Sequence, residues 1–134
     1  MILPIVQFGD PILRKRCQRV KAVTEEFEVL VKNMLETMHD AQGVGLAAPQ
    51  VGIDVRLAVV DVSHDPECVS LLRVNGEEAQ LEDIMPLVFI NPDFELSGEK
   101  ERMEEGCLSI REIRTEVKRP SVVSGKFGQL DGTE

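Results

Sequence analysis

The pattern of hydrophobic and polar positions is clearest between Thr24 and Gly43, where it has the period of an α-helix. Apolar residues recur at spacings of three and four and would share one face of that helix: Phe27, Leu30, Val31, Met34, Leu35 and Met38. Thr24 is suited to cap the first turn, and Gly43 is suited to end the helix. The pattern predicts an amphipathic helix whose apolar stripe packs in the core.

Beyond this helix the apolar positions follow the pattern of strands. Residues 55–62 (VRLAVVDV) are apolar on both faces, which indicates a central strand. Asn75-Gly76 separates two short runs within a polar insertion and predicts a hairpin turn. Leu87–Pro92 predicts a further strand that is closed by a turn.

The C-terminal part of the sequence predicts two more strands. Residues 114–123 (RTEVKRPSVV) are strand-like, and Pro120 places this strand at an edge or a bulge of its sheet. A short strand follows and leads into an Asp131-Gly132 turn. Because such a turn normally joins two strands, and only two residues follow it here, the pattern favours a piece of a longer chain.

Composition narrows the class of protein. A chain of 134 residues is expected to form one domain, and its net charge of −9 argues against direct binding to nucleic-acid phosphates. No apolar run approaches the roughly 18 residues of a membrane span, and the N-terminus lacks the basic region of a signal peptide. Its three cysteines, Cys17, Cys68 and Cys107, are odd in number and widely spaced, which favours reduced thiols in a cytoplasm.

Two segments have compositions that suggest chemistry. Gln42–Gly52 (QGVGLAAPQVG) carries no charge in an acidic chain, which predicts a tight, buried loop whose backbone lies against something else. Cys107 directly follows a glycine in the segment MEEGCLSIRE. From residue type alone, a small buried cysteine is the more frequent case. A nucleophile and a metal ligand are the alternatives, and both require the thiolate.

These two segments carry a resemblance to a known family. GVGLAAPQ (Gly43–Gln50), followed by EGCLS (Glu105–Ser109), resembles the first two signature motifs of the peptide deformylases. The opening ILPIVQFGDPILRKRCQRV and the later RLAVVDV, FINP and VKRP are similar to that family as well. The likeness extends along nearly the whole chain, apart from the insertion between Ser63 and Met85.

The resemblance implies an α+β fold, with antiparallel strands packed around helices, one of which carries H-E-x-x-H. It implies a cytoplasmic enzyme that hydrolytically removes the formyl group from the N-terminal formyl-methionine of nascent proteins, with the ribosome as a further candidate partner. Ferrous iron is the implied metal, and zinc or nickel can replace it. Three protein ligands would leave one position for a water that loses a proton near neutral pH.

The resemblance also implies roles for residues of this sequence. Cys107 matches the cysteine that binds the metal. Gln50 would donate its side-chain amide, and Leu108 its backbone N–H, to the formyl oxygen, forming an oxyanion hole. Gly45 would let the main chain pair with an extended peptide, and Val44 would wall an apolar methionine pocket.

Two further assignments have structural alternatives. Glu105 matches a position at the methionine pocket, and the alternative is a purely structural carboxylate. Arg114 aligns with a family arginine near the far end of the peptide, and surface solvation explains it equally well.

The sequence contains no H-E-x-x-H motif, so both histidine ligands and the glutamate of that motif are absent. His39 is expected to be solvated or to cap the helix. His64 precedes Cys68 by four residues, but Pro66 disfavours the helix that would align them as metal ligands. We therefore expect residues 1–134 to form a single, incomplete peptide deformylase domain that lacks the C-terminal metal-binding helix and is inactive alone. The alternatives are a non-catalytic peptide-binding module and an inactive fragment that retains the cleft.

Overall fold

A computed structural model describes residues 1–64 and 71–134, without the side chains of Met103, Glu104, Arg111 and Glu112. Two 3₁₀ helices span Pro11–Arg14 and Ala48–Val51. The other elements are α1 (Glu25–Asp40), β1 (Gly45–Ala47), β2 (Leu57–Val60), β3 (Leu72–Val74), β4 (Glu77–Ala79), α2 (Leu81–Ile84), β5 (Leu87–Cys107) and β6 (Ile110–Gly128). The strands form an antiparallel sheet of order β1-β2-β5-β6 and a separate β3-β4 hairpin. The fold is α+β, as the sequence predicted.

Helix α1 forms where the apolar periodicity predicted it. The Thr24 side chain accepts a hydrogen bond of 3.2 Å from the Phe27 N–H, which satisfies one of the unpaired donors of the first turn. The apolar stripe packs against the sheet in a core of eight buried residues among those described: Val31, Met34, Met38, Leu46, Ala48, Leu57, Val59 and Ile90. Burying each of the larger side chains contributes about 1.5–3 kcal/mol.

The end of α1 differs in detail from the prediction. Gln42, not Gly43, takes the left-handed conformation, with φ of 57°. The Gly43 N–H then donates to the Met38 carbonyl at 2.9 Å, and the Gln42 N–H donates to the His39 carbonyl at 3.1 Å. These two bonds form a Schellman motif, in which glycine is common at the left-handed position but is not required.

The sheet confirms an interior position for the strand predicted at residues 55–62. Strand β2 lies between β1 and β5, and its residues are buried or half-buried on both faces. The Asn75-Gly76 hairpin is confirmed too, since both turn residues have positive φ, 52° and 83°. Pro120 lies on the edge strand β6, next to a register shift, as its missing N–H predicted.

Two strand boundaries were predicted wrongly. Strand β5 does not end at Pro92 but continues to Cys107 through a register irregularity after Ile90. There Asn91, with φ of 49°, accepts a bond from the Val20 N–H at 2.8 Å and donates to the Val20 carbonyl at 2.9 Å. The short strand expected before the Asp131-Gly132 turn is the end of β6 itself, and the turn follows it with Gly132 at φ of 86°.

Candidate active site

The uncharged segment Gln42–Gly52 forms regular structure and not the loop that was predicted. It comprises β1 and the second 3₁₀ helix, and it ends at Gly52, whose φ is 81°. Leu46 and Ala48 are 2% and 0% exposed, respectively. Because an unpaired buried charge is costly, this burial accounts for the absence of charged residues at those positions.

Gln50 lies where this segment meets the turn after β5. Its position as the third residue of the 3₁₀ helix lets Oε1 reach back to the Ala47 N–H, at 3.0 Å. Its Nε2 lies 3.2 Å from Ser109 Oγ and 3.6 Å from Cys107 Sγ. The structure therefore brings together Gln50 and Cys107, which belong to different motifs and are 57 residues apart in sequence.

Leu108 and Ser109 form the two-residue turn between β5 and β6. The Leu108 side chain covers Gly43, where an added Cβ would lie only 2.8 Å from Leu108 Cδ1. The Gln7 side chain donates to the Leu108 carbonyl at 3.4 Å. Sequence reasoning missed the contacts that Gly43 and Gln7 make with Leu108. The glycine was considered only as a helix stop, and nothing in the sequence around Gln7 indicates a partner 101 residues away.

The edge of the sheet beside this site is formed by β1. Gly45 pairs with Val60 of β2, and β1 has no strand on its other side among the residues that the structure describes. An added Cβ at Gly45 would meet the Val59 carbonyl at 3.8 Å, which is ordinary contact. Internal packing therefore does not require glycine there. Val44 is 46% exposed next to this edge, and its carbonyl accepts from the Asp61 N–H.

Glu105 and Arg114 lie on the hairpin that carries the site. The Arg119 guanidinium donates to both oxygens of Glu105, at 2.8 and 3.0 Å. This bidentate hydrogen bond lowers the pKa of Glu105. Arg114 is exposed and pairs with Gly106 in the β5–β6 ladder.

His39 does not simply cap the helix or lie in solvent. Its Nε2 lies 3.1 Å from Oδ2 of Asp61, a carboxylate that is 6% exposed. Burial alone would raise the pKa of Asp61, but hydrogen bonds from Ser63 and His39 outweigh it and hold the pKa below its ordinary value. His39 thus supports the buried carboxylate of Asp61, the residue whose N–H donates to the Val44 carbonyl. The His64–Cys68 pair considered as a metal site includes Cys68, which lies outside the described residues.

The described residues do not provide a metal site by themselves. No group of three or more His, Cys, Asp or Glu side chains in residues 1–64 and 71–134, so far as their side chains are described, could hold a metal ion. Cys107 is an exposed free thiol, and its close polar neighbour is the amide of Gln50. Catalytic zinc or iron sites normally use three protein ligands, so this donor set does not fit one.

A family model, Polypeptide deformylase, matches residues 2–134. The chain belongs to the polypeptide deformylase family. A peptide deformylase of Methylacidiphilum infernorum is 43% identical over 132 residues, which cover 98% of this chain and 69% of the relative. The crystal structure of the Thermotoga maritima peptide deformylase superposes with a TM-score of 0.80 at 37% identity, covering 98% of this chain and 77% of that one.

A third deformylase is relevant because of what it binds. The class I type b peptide deformylase of Acinetobacter baumannii, in a crystal structure with Met-Ala-Ser bound, superposes with a TM-score of 0.81 at 32% identity, over 98% of this chain and 80% of that one. The chain spans between 60% and 75% of the length of eight curated deformylases that are 39–43% identical to it. No helix within the described part of the chain has the length and apolarity needed to cross a membrane.

Proposed function

We propose that this chain acts in peptide deformylation, the hydrolytic release of formate from N-formyl-methionyl peptides. The observation that carries the proposal is the convergence of the Gln50 amide, the Leu108–Ser109 turn and the Cys107 thiol at one end of β5. Family membership gives the reaction type, and this cluster gives the place on the chain where the reaction would occur.

Two donors would stabilise the negative charge that develops on the formyl oxygen. The Gln50 side-chain amide is held at both ends, because its oxygen accepts from the Ala47 N–H and its NH₂ group donates to Ser109 Oγ. The Leu108 N–H belongs to a turn that contacts with Gly43 and Gln7 keep in place. Donors held in this way cost no reorganisation when the charge forms, and removing one typically lowers the rate about a hundredfold or more.

The substrate peptide would lie along β1. Its backbone would pair with the open edge at Gly45 as an added strand, and its methionine side chain would pack against the exposed Val44. The Acinetobacter deformylase with bound Met-Ala-Ser supports a short methionyl peptide as the ligand class. Glu105 would border the methionine pocket while bound to Arg119, and Arg114 would face the far end of the peptide.

The deformylase family is metal-dependent. Cys107 is our proposed metal ligand, with Fe²⁺ as the metal and zinc or nickel as replacements. A metal of this kind would polarise the formyl carbonyl and activate a water. Because the described residues form no group of three metal-ligating side chains, the mechanism above is confined to binding and oxyanion stabilisation. The cytoplasm, with nascent chains leaving the ribosome, is the proposed setting.

A second candidate function is suggested because the described side chains form no group of three that could hold a metal. The 134 residues would then bind formyl-methionyl peptides without turning them over. This function predicts preference for formyl-Met-Ala-Ser over Met-Ala-Ser in calorimetric titration, and no release of formate.

The experiment compares two proteins with formyl-Met-Ala-Ser as substrate. One is the 134-residue chain, and the other, here called the fusion enzyme, is the same chain joined to the H-E-x-x-H segment of a relative. We expect formate release and bound metal to rise together in the fusion enzyme, and much less of either when it carries Cys107→Ala. Metal-dependent turnover by the 134-residue chain alone would contradict the need for further ligands. A fusion enzyme that binds metal but releases no formate would contradict the proposed function.

A further inference from the structure

Ser109 is the residue of the EGCLS motif whose role the proposed function leaves open. It is 3% exposed although it occupies the second position of a two-residue turn. A buried hydroxyl needs partners, and here one partner is the side-chain amide of Gln50, at 3.2 Å. The contact places the buried Ser109 hydroxyl next to Gln50 Nε2, the proposed oxyanion donor.

The orientation of the Gln50 amide follows from its other partner. The Ala47 N–H can only donate, so the atom 3.0 Å from it must be the carbonyl oxygen of Gln50. The NH₂ group therefore faces Ser109 Oγ and Cys107 Sγ. A flipped amide would place two donors together at Ala47.

The NH₂ group carries two protons, and Ser109 determines which of them is available to bind the substrate. Its oxygen accepts one proton, while the other points toward Cys107, at the proposed place of reaction. Without the hydroxyl, the amide keeps the Ala47 bond on its oxygen, and its NH₂ group keeps only the longer contact of 3.6 Å with Cys107 Sγ.

The position of Ser109 is fixed by the N-terminal segment. The Phe8 N–H donates to the Ser109 carbonyl at 2.7 Å, and the Val6 N–H donates to the Gln50 carbonyl at 2.7 Å. Residues two apart in the N-terminal segment thus hold the main chains of both Gln50 and Ser109. The distance between them does not depend on the long β5–β6 hairpin alone.

We propose that Ser109 is a positioning residue, whose buried hydroxyl locks the Gln50 amide with one N–H directed at the formyl oxygen. This inference rests on the proposed function for the identity of the substrate. The geometry that it invokes is a property of the free protein, and it can be measured without turnover.

The first measurement is the NMR spectrum of the Gln50 side-chain amide in the ¹⁵N-labelled 134-residue chain. In Ser109→Ala we expect the two amide protons to shift more than backbone amides outside the turn, and to exchange faster with water. Ser109→Thr, which keeps the hydroxyl, should retain the original signals. Ser63→Ala is the matched control, because it removes a hydroxyl bonded to Asp61 and not to Gln50. Unchanged Gln50 signals in Ser109→Ala would overturn the proposal.

If the alanine variant does not fold, Ser109→Thr and Ser109→Val decide the question, since they have the same shape and differ only in the hydroxyl. The proposal requires the Gln50 signals of these two variants to differ, and equal signals would overturn it.

The second measurement is kinetic and uses the fusion enzyme. Ser109→Ala should lower kcat about tenfold with KM within about twofold, less than the hundredfold typical of losing a donor outright. Because Ser109 acts through Gln50, adding Ser109→Ala to Gln50→Ala should cause no further loss. An equal loss in both backgrounds would overturn the proposal. Failure of the fusion enzyme to release formate at all would count against the proposed function alone, because the NMR signals still decide the role of Ser109.

Discussion

The two ends of β5 lie in contrasting surroundings. Its first residues belong to the packed half of the molecule, formed by α1, β1, the second 3₁₀ helix, β2 and residues 87–90. This half holds every buried hydrophobic residue among those described. The outer hairpin, residues 93–105 of β5 and 115–126 of β6, has no buried side chain among those that the structure describes. Its apolar residues Phe94, Leu96, Val122 and Val123 are 45–62% exposed.

The candidate site lies at the far end of this sparsely packed hairpin. Strand pairing alone would leave the Leu108–Ser109 turn poorly located, because three register irregularities of the β5–β6 ladder separate it from the core. Contacts to Gly43, Gln50 and the N-terminal segment bring the turn back to the packed half. The contacts that build the site are therefore also the contacts that anchor the hairpin.

The largest difference that we expect between the packed half and the outer hairpin is in the free energy of unfolding. Met34→Ala should lower the free energy of unfolding by about 2–5 kcal/mol, because Met34 is fully buried and its truncation leaves a cavity. Leu96→Ala, in the outer hairpin, should stay within about 0.5 kcal/mol, because Leu96 is 62% exposed. Urea unfolding followed by circular dichroism measures both values. Comparable losses of unfolding free energy in the two variants would show that Leu96 is covered in solution. The packed half and the outer hairpin would then not differ as described.

The next effect concerns catalysis. In the fusion enzyme, Gln50→Ala should lower kcat about a hundredfold or more, because the amide acts on the developing charge of the transition state. Metal per chain after dialysis should change little, since the amide is not a metal ligand in this proposal. Gln129→Ala removes an exposed glutamine outside the site and serves as the control. A parallel fall of metal content and activity would show that Gln50 acts on the metal site instead.

Local patterns predicted the packed half and the β3–β4 hairpin well. Periodicity and a cap located α1, an apolar run located β2 inside the sheet, and Asn75-Gly76 located a turn, because each of these features is encoded within a few residues. The continuation of β5 past Pro92 could not be predicted in this way. It depends on the side chain of Asn91 binding the backbone of Val20, 71 residues earlier.

The same limit explains what was missed at the site. Resemblance to the family identified Gln50, Cys107 and Leu108 as neighbours, and the structure places them together. It did not identify Gln7, Gly43 or Ser109 as the residues that hold them, because each of these contacts joins segments far apart in sequence and depends on the final packing. The functional roles of all these residues stay predictions until they are tested.

A smaller effect separates two glycines of one motif. Gly43→Ala should destabilise the protein by about 1–3 kcal/mol, because its Cβ would lie 2.8 Å from Leu108 Cδ1 and displace the anchored turn. Adding Leu108→Ala should recover part of the loss by making room. Gly45→Ala should leave stability nearly unchanged but weaken binding of formyl-Met-Ala-Ser along β1. Equal behaviour of the two variants would contradict either the packing role of Gly43 or the peptide edge at Gly45.

The smallest effect tests how far the outer hairpin is stabilised by its own ion pairs. The Glu105 carboxylate pairs with Arg119 through two hydrogen bonds, but both side chains are partly exposed, so the pair is worth about 1 kcal/mol or less. Because folding lowers the pKa of Glu105, this contribution is complete above the ordinary glutamate pKa of about 4.3 and is lost as the pH falls through the folded value.

Arg119→Gln should therefore destabilise the protein at pH 7 and have almost no effect at pH 2. Arg102→Gln is the control, since the contact of Arg102 with Glu116 is longer, at 3.4 Å, and the substitution should matter less at either pH. Urea unfolding at both pH values measures the differences, and an Arg119→Gln effect of the same size at pH 2 would show that Arg119 stabilises the hairpin by packing and not by charge.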